Sequence, residues 1–205
     1  MRLLASHSHA FDPSLRWIEG TVERQTEGPV FRQLLARRRS PHTGLEHAYV
    51  RLDGPDWVNV IAFTPPEAGG ELLLVEQFRH GIDQATLEIP GGCCDPGESP
   101  RDGAERELRE ETGFEAREWI PLGHCTPNPA TQTNRCHFFL ALGCRSTGPL
   151  QLDRTEELRL WASSWPEWED RLRTGEVHHA LVMAAFLRLF LWDGWEDLRR
   201  RLGSQ

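Results

Sequence analysis

The chain has no lysine: all 23 of its basic residues are arginine. That excludes a Schiff-base mechanism and the lysine of a phosphate-binding P-loop. Cysteine is sparse. The five residues Cys93, Cys94, Cys125, Cys136 and Cys144 show neither paired CxxC spacing nor the density of a disulfide framework. This argues against structural zinc and for free thiols in a reduced, cytoplasmic setting. Long hydrophobic runs are missing as well. The first residues are too polar for a signal peptide, and the greasiest stretch, residues 180–192, is too short for a membrane span and carries Arg188. No membrane role is expected. With a net charge of −8, generic nucleic-acid binding is disfavoured, and the acidic residues are available for divalent metal instead. No Ser-His-Asp or reactive-cysteine set is visible. His7 and His9 read as a loose tail, and His178 and His179 as capping or surface residues opening the last helix.

What is present fits one domain plus an appendage in 205 residues. Polar–apolar alternation over residues 29–52, broken by Ser40-Pro41-His42-Thr43-Gly44, predicts a small hairpin-like β subdomain in residues 1–54. From 55 to 205 the pattern predicts the main domain. Strands are expected at 57–63, 71–78, 119–122, 136–143 and 158–161, and helices at 100–112, 166–173 and 178–200. The last helix would bury a face of Leu181, Ala184, Ala185, Leu189 and Trp192. Strands and helices without strict alternation give an α/β class with a mixed sheet between helices.

The segment from Gly91 to Phe114 is the most informative. Ser99 is a good N-cap, Pro100 suits the first helical position, Asp102 can complete a capping box and Gly113 can end the helix, predicting about 13 residues. On that helix Glu107, Glu110 and Glu111 fall within an arc of about 100°. Like charges so spaced repel and call for a cation; hard oxygen ligands suit Mg²⁺ or Mn²⁺. Arg106, one turn before Glu110, can orient its carboxylate.

The same residues fit the pattern Gly92-x5-Glu98-x7-Arg106-Glu107-Leu108-x-Glu110-Glu111-x-Gly113-Phe114 without a departure, and by it the chain resembles the Nudix hydrolases. The resemblance implies an α/β/α sandwich with the box as loop-helix-loop, and Glu107, Glu110 and Glu111 as metal ligands or water activators, with the carbonyl of Gly91 or Gly92 as a further ligand. Val75-Glu76-Gln77-Phe78-Arg79, Leu87-Glu88-Ile89-Pro90-Gly91-Gly92 and Pro129, fifteen residues past Phe114, resemble the ADP-ribose pyrophosphatase branch. That branch implies a nucleotide-sugar substrate cut at its diphosphate, and a homodimer built by the N-terminal strands. It also implies Arg79 and Glu88 as substrate-side residues, with Arg51, or the run Arg37-Arg38-Arg39, reaching across the interface. Asn128, Asn134 and Arg135 are further candidates for substrate contact. One departure matters: the loop from Pro129 to His137 has no carboxylate, so the catalytic base must be a box glutamate or one of Glu156 and Glu157. A nucleoside-triphosphate pyrophosphohydrolase and a non-catalytic nucleotide sensor share the box and stay open as alternatives.

Overall fold

The structure is a computed structural model that describes residues 13–152 and 157–203; Glu156 and the His7/His9 tail lie outside the described residues. The chain forms two compact units. One comprises the described residues up to Gly54 together with Asn128–Thr133; the other comprises Pro55–Pro127 and the described residues from Asn134 onward.

The smaller unit is an antiparallel sheet of three strands in chain order, β1 (Ile18–Glu27), β2 (Arg32–Arg39) and β3 (Glu46–Asp53). The expected hairpin is β2 and β3, with Arg39 opposite Glu46 and Leu35 opposite Val50. Its turn is tied by the Ser40 hydroxyl, which accepts from the backbone N–H of His42 and Thr43. Strand β1 was not foreseen. Its ten residues are exposed throughout, so no apolar alternation announces it, and backbone pairing with β2 holds it in place. The stretch Asn128–Thr133 joins through Leu52, which donates to Thr131 O at 2.8 Å and accepts from Thr133 N at 3.1 Å.

The larger unit carries a sheet of β4 (Trp57–Phe63), β5 (Leu72–Arg79), β6 (Gln84–Glu88), β8 (Glu118–Cys125), β9 (Cys136–Leu142) and β11 (Leu158–Ser163). The order is β11-β5-β4-β9-β8, with β6 paired to β5. Only β4 and β9 run parallel, so the sheet is mixed. A two-stranded ribbon, β7 (Phe114–Glu115) with β10 (Arg145–Ser146), lies apart. Helix α1 (Pro100–Thr112) packs over Val58, Val60 and Ala62 of β4 through Ala104 and Leu108. The opposite face, with Ile61, Phe63, Leu72 and Leu74, is covered by α2 (Trp165–Thr174), α3 (Ala180–Phe190) and α4 (Trp195–Leu202). Alternate residues of one strand thus feed two cores, and the result is the α/β/α sandwich.

The long last helix expected over 178–200 is two helices. Trp192 N returns to Leu189 O and Trp195 N to Trp192 O. Gly194 starts α4 where a Cβ would lie 2.3 Å from the Trp192 ring, so a side chain there must displace the ring. The buried face of α3 is also turned from the expected one. Val182, Ala185, Phe186 and Leu189 are buried while Leu181 and Ala184 are partly covered, because Phe186 inserts against Trp165 and Trp168. In a helix apolar on nearly every side, spacing alone does not choose the inner face.

Candidate functional site

The site begins with a gap in strand pairing. Strand β5 pairs with β4 only at Leu72 and Leu73, then turns to β6 from Val75 onward. The first half of β4 therefore lacks a β5 partner, and the loop before α1 takes that edge. Val58 N donates to Gly92 O at 2.9 Å and Val60 N to Pro90 O at 2.8 Å. Gly91 lies so close that a Cβ would stand 2.1 Å from Val58 O, and one on Gly92 would meet the Glu107 carboxylate at 2.5 Å. With the carbonyls of Pro90 and Gly92 both turned to β4, that of Gly91 between them faces away from it.

Helix α1 forms with the expected 13 residues. Ser99 Oγ accepts from Asp102 N at 3.1 Å, and Gly113 ends the helix in the left-handed conformation at φ 71°. The second half of the expected capping box is different: the Asp102 carboxylate accepts from the Ser99 hydroxyl rather than from its backbone N–H. One face of α1 brings Glu107, Glu110 and Glu111 together with Arg106. Glu111 is buried and accepts from Gly91 N at 2.8 Å, which locks helix to loop. Arg106 NH1 donates to both Glu107 Oε1 and Glu110 Oε2 at 2.9 Å, and NH2 donates to Cys93 O at 2.8 Å. The same guanidinium holds Glu98 by two bonds of 3.0 Å. Glu98, a fixed position of the box without an assigned role, also accepts from Asp95 N and so closes the loop onto the helix. The bonds to Glu98, with Glu107 and Glu110, raise the Arg106 pKa despite the opposing effect of burial. Arg106 in turn holds the Glu98 carboxyl below its ordinary value.

Three glutamates on two successive turns are a donor set of hard oxygens, which fits a divalent cation in kind. Among the described residues no His, Cys, Asp or Glu trio is drawn into a closed coordination cluster; here the Arg106 guanidinium bridges Glu107 and Glu110.

Arg79 and Glu88 form a second group at the far ends of β5 and β6. Arg79 Nε and NH2 each donate to one oxygen of Glu88 at 2.6 Å, a two-pronged pair. Thr86, two residues away on the same strand face, donates to Glu88 Oε1. Glu88 is 2% exposed. Burial raises its carboxyl pKa, but Arg79, Thr86 and His179 together outweigh it and hold the group below the usual carboxylate range. His179 caps α3 with Nδ1 accepting from Val182 N and brings Nε2 to 3.7 Å from Glu88. Its capping role was expected; its nearness to Glu88 was not, because 91 residues of chain separate them. Burial, the larger influence, lowers the His179 pKa although Glu88 opposes it.

The remaining predicted residues lie outside these groups. Glu157 is exposed and lines an open hollow with Glu76, Phe78 and Arg159. Upstream of it, Gln151 N donates to Glu110 O at 2.8 Å, bringing that part of the chain beside α1. Arg51 pairs with Glu19 at 3.3 Å, and Pro129 sits in the Asn128 turn; both belong to the smaller unit. Arg135 is exposed. Its N–H is held by Asp56, which also binds His137 Nε2 at 2.9 Å and accepts Cys94 N on its carbonyl. Asp56, which sequence pattern did not single out, thus ties the box loop to the start of β9. Asn134 is buried with neither side-chain polar atom partnered among the described residues. All five cysteines are free, and burial pushes the Cys94 thiol up to about 11.

The sandwich, the loop seated on β4 and the acidic face of α1 define a scaffold built around one loop and one helix. Residues 56–186 match the family model described as the NUDIX domain, and the chain belongs to the Nudix family. It is similar to the ADP-ribose pyrophosphatase of Mycobacterium tuberculosis, at 30% identity over 130 residues, covering 62% of each chain. It is also similar to the ADP-ribose pyrophosphatase of Bacillus subtilis, at 36% identity over 87 residues, covering 42% of this chain and 45% of that one. The matches span less than two thirds of either relative. A crystal structure of an ADP compounds hydrolase shares the fold, with a TM-score of 0.74 at 22% identity over 86% of this chain and 94% of the other. No helix among the described residues is long and apolar enough to cross a membrane.

Proposed function

We propose that the protein hydrolyses the diphosphate linkage of a nucleoside diphosphate sugar, with ADP-ribose the leading substrate, in a Mg²⁺-dependent reaction that yields a nucleoside monophosphate and a sugar phosphate. The carrying observation is the convergence of Glu107, Glu110 and Glu111 on one face of α1, locked to the loop by the Gly91 N to Glu111 bond. The similarity to two ADP-ribose pyrophosphatases supports the substrate class.

Glu107, Glu110, Glu111 and the outward carbonyl of Gly91 would hold the metal. When bound, a divalent cation offsets charge on the diphosphate and lowers the pKa of the attacking water. Water adds to one phosphorus, the bond from that phosphorus to the bridging oxygen breaks, and the leaving phosphate departs with the electron pair. Arg106 keeps Glu107 and Glu110 aimed. A box glutamate or Glu157 accepts the water's proton; Glu88, with both oxygens engaged, fixes Arg79 on the substrate side instead. No protein nucleophile is needed, in keeping with the raised pKa of Cys94. The three-stranded unit would serve a cytoplasmic homodimer. Val22 and Tyr49 are exposed on one face of that sheet, both paired with Ala36 of β2, an apolar surface that a second copy would cover.

The test is product analysis with ADP-ribose, other nucleotide sugars and dNTPs in Mg²⁺. Glu110→Gln and Glu111→Gln should each lower kcat by about 10²-fold or more. Glu157→Gln assigns the base: full turnover in that variant returns the role to α1. Wild-type turnover in the Glu110→Gln/Glu111→Gln double variant would end the proposal.

A further inference from the structure

The end of the sheet away from the box loop holds a separate hollow. The loop pairs along the start of β4, whereas this hollow lies past Phe63 at the strand's other end, roughly 20 Å away at about 3.3 Å per residue. Its volume is about 230 Å³, just under the roughly 300 Å³ at which sites for drug-sized ligands begin. Phe63, Leu198 and Leu202, all buried, give it an apolar floor.

Arg117, Arg145 and Arg201 line the hollow, against Glu67 and Glu118. Arg145 is paired with Glu67. Among the described residues neither Arg117 nor Arg201 is within ion-pair distance of a carboxylate, although Arg117 is near enough to Glu67 to help lower its pKa. The contrast within one run is informative: Arg199 pairs with Glu169 and Arg200 with Asp197, both away from the hollow, while the next residue, Arg201, lines it without an acidic partner. A guanidinium is a planar donor fork matched to carboxylate and phosphate. Two of them beside an apolar floor, in a chain of net charge −8, make a local exception to the surrounding field.

We infer that this hollow binds a small organic anion, with one ring or a short aliphatic body on the Phe63, Leu198 and Leu202 floor and a carboxylate or phosphate held by Arg117 and Arg201. The inference is independent of the activity proposed for α1.

The experiment is a leucine-methyl NMR titration of the full chain with benzoate, with phenyl phosphate and with uncharged benzyl alcohol. Saturable shifts of Leu198 and Leu202 are expected with an anion, weakening as salt is raised. The tighter of the two anions identifies the acid group. Arg117→Ala/Arg201→Ala should weaken binding on the order of tenfold or more, with an unchanged melting temperature certifying the fold. Arg199→Ala/Arg200→Ala should bind as wild type, and so should Glu110→Gln/Glu111→Gln, which separates this hollow from the box. The inference is overturned by absence of saturable shifts with either anion, by equal binding of benzyl alcohol, or by undiminished affinity in the Arg117→Ala/Arg201→Ala variant.

Discussion

Replacing Arg79 with alanine strands Glu88. The carboxylate is 2% exposed and holds Arg79 through two bonds of 2.6 Å, while the Arg79 side chain is 39% exposed. Removing one partner of a wholly buried pair costs about 3–5 kcal/mol. Solvent already screens Arg79, and Thr86 stays on the carboxylate, so we expect about 2–3 kcal/mol at neutral pH. For a chain of this size that lowers Tm by about 4–12 °C. The pH dependence is the sharper readout. In the wild type the Glu88 pKa is depressed, so its contribution is complete above the unfolded value of about 4.3 and is lost as pH falls through the folded one. In Arg79→Ala the opposing effect of burial dominates and raises the folded pKa. The contribution is then complete below about 4.3 and is lost as pH rises. His179, freed from Arg79 and 3.7 Å from Glu88, gains a proton more readily and acts in the same direction. Urea unfolding followed by tryptophan fluorescence from pH 4.5 to 7.5 should show the stability gap widening as pH rises. Glu88→Gln added to Arg79→Ala should recover part of the loss. A pH-independent gap, or strict additivity of the two substitutions, would show that Arg79 does not set the ionisation of Glu88.

Arg106→Ala removes the brace shared by Glu98, Glu107, Glu110 and the Cys93 carbonyl; it should destabilise by roughly 3 kcal/mol, with Mg²⁺ raising its Tm more than that of the wild type, as scanning fluorimetry with and without EDTA would register. Gly91→Ala places a Cβ 2.1 Å from Val58 O, so the loop must leave β4 and release Glu111; hydrolysis should fall at least tenfold and amide exchange at Val58 and Val60 should quicken, at a global cost of about 1–3 kcal/mol. Gly194→Ala drives a methyl into the Trp192 ring and should cost about 1–3 kcal/mol in urea unfolding while leaving kcat and KM as they are.

The box and the helix that carries it were legible because their determinants are local. A cap, a first-turn proline, a terminal glycine and carboxylates spaced by the helical period act within one turn of each other, and α1 has the expected ends and acidic face. The strands β4, β5 and β9 were legible for a similar reason, since a buried strand writes its environment into its own composition. Strand β1, exposed throughout, wrote nothing. The inner face of α3 was equally unreadable, because apolar residues on both sides left the choice to Phe186 and the two tryptophans it meets.

Residue type and spacing alone established that a short capped helix carries three glutamates and an arginine on one side, and that arginine stands in every position where a lysine or arginine occurs. Those properties follow from residue type and spacing within a few turns. Only the tertiary structure decided that the loop docks on the half of β4 that β5 vacates, that Glu111 is anchored by Gly91, that Arg106 spans Glu98, Glu107 and Glu110, and that Arg79, Thr86 and His179 gather on Glu88. These contacts depend on where strands diverge and on which distant segments the folded chain brings within 4 Å, and such proximity has no period along a sequence.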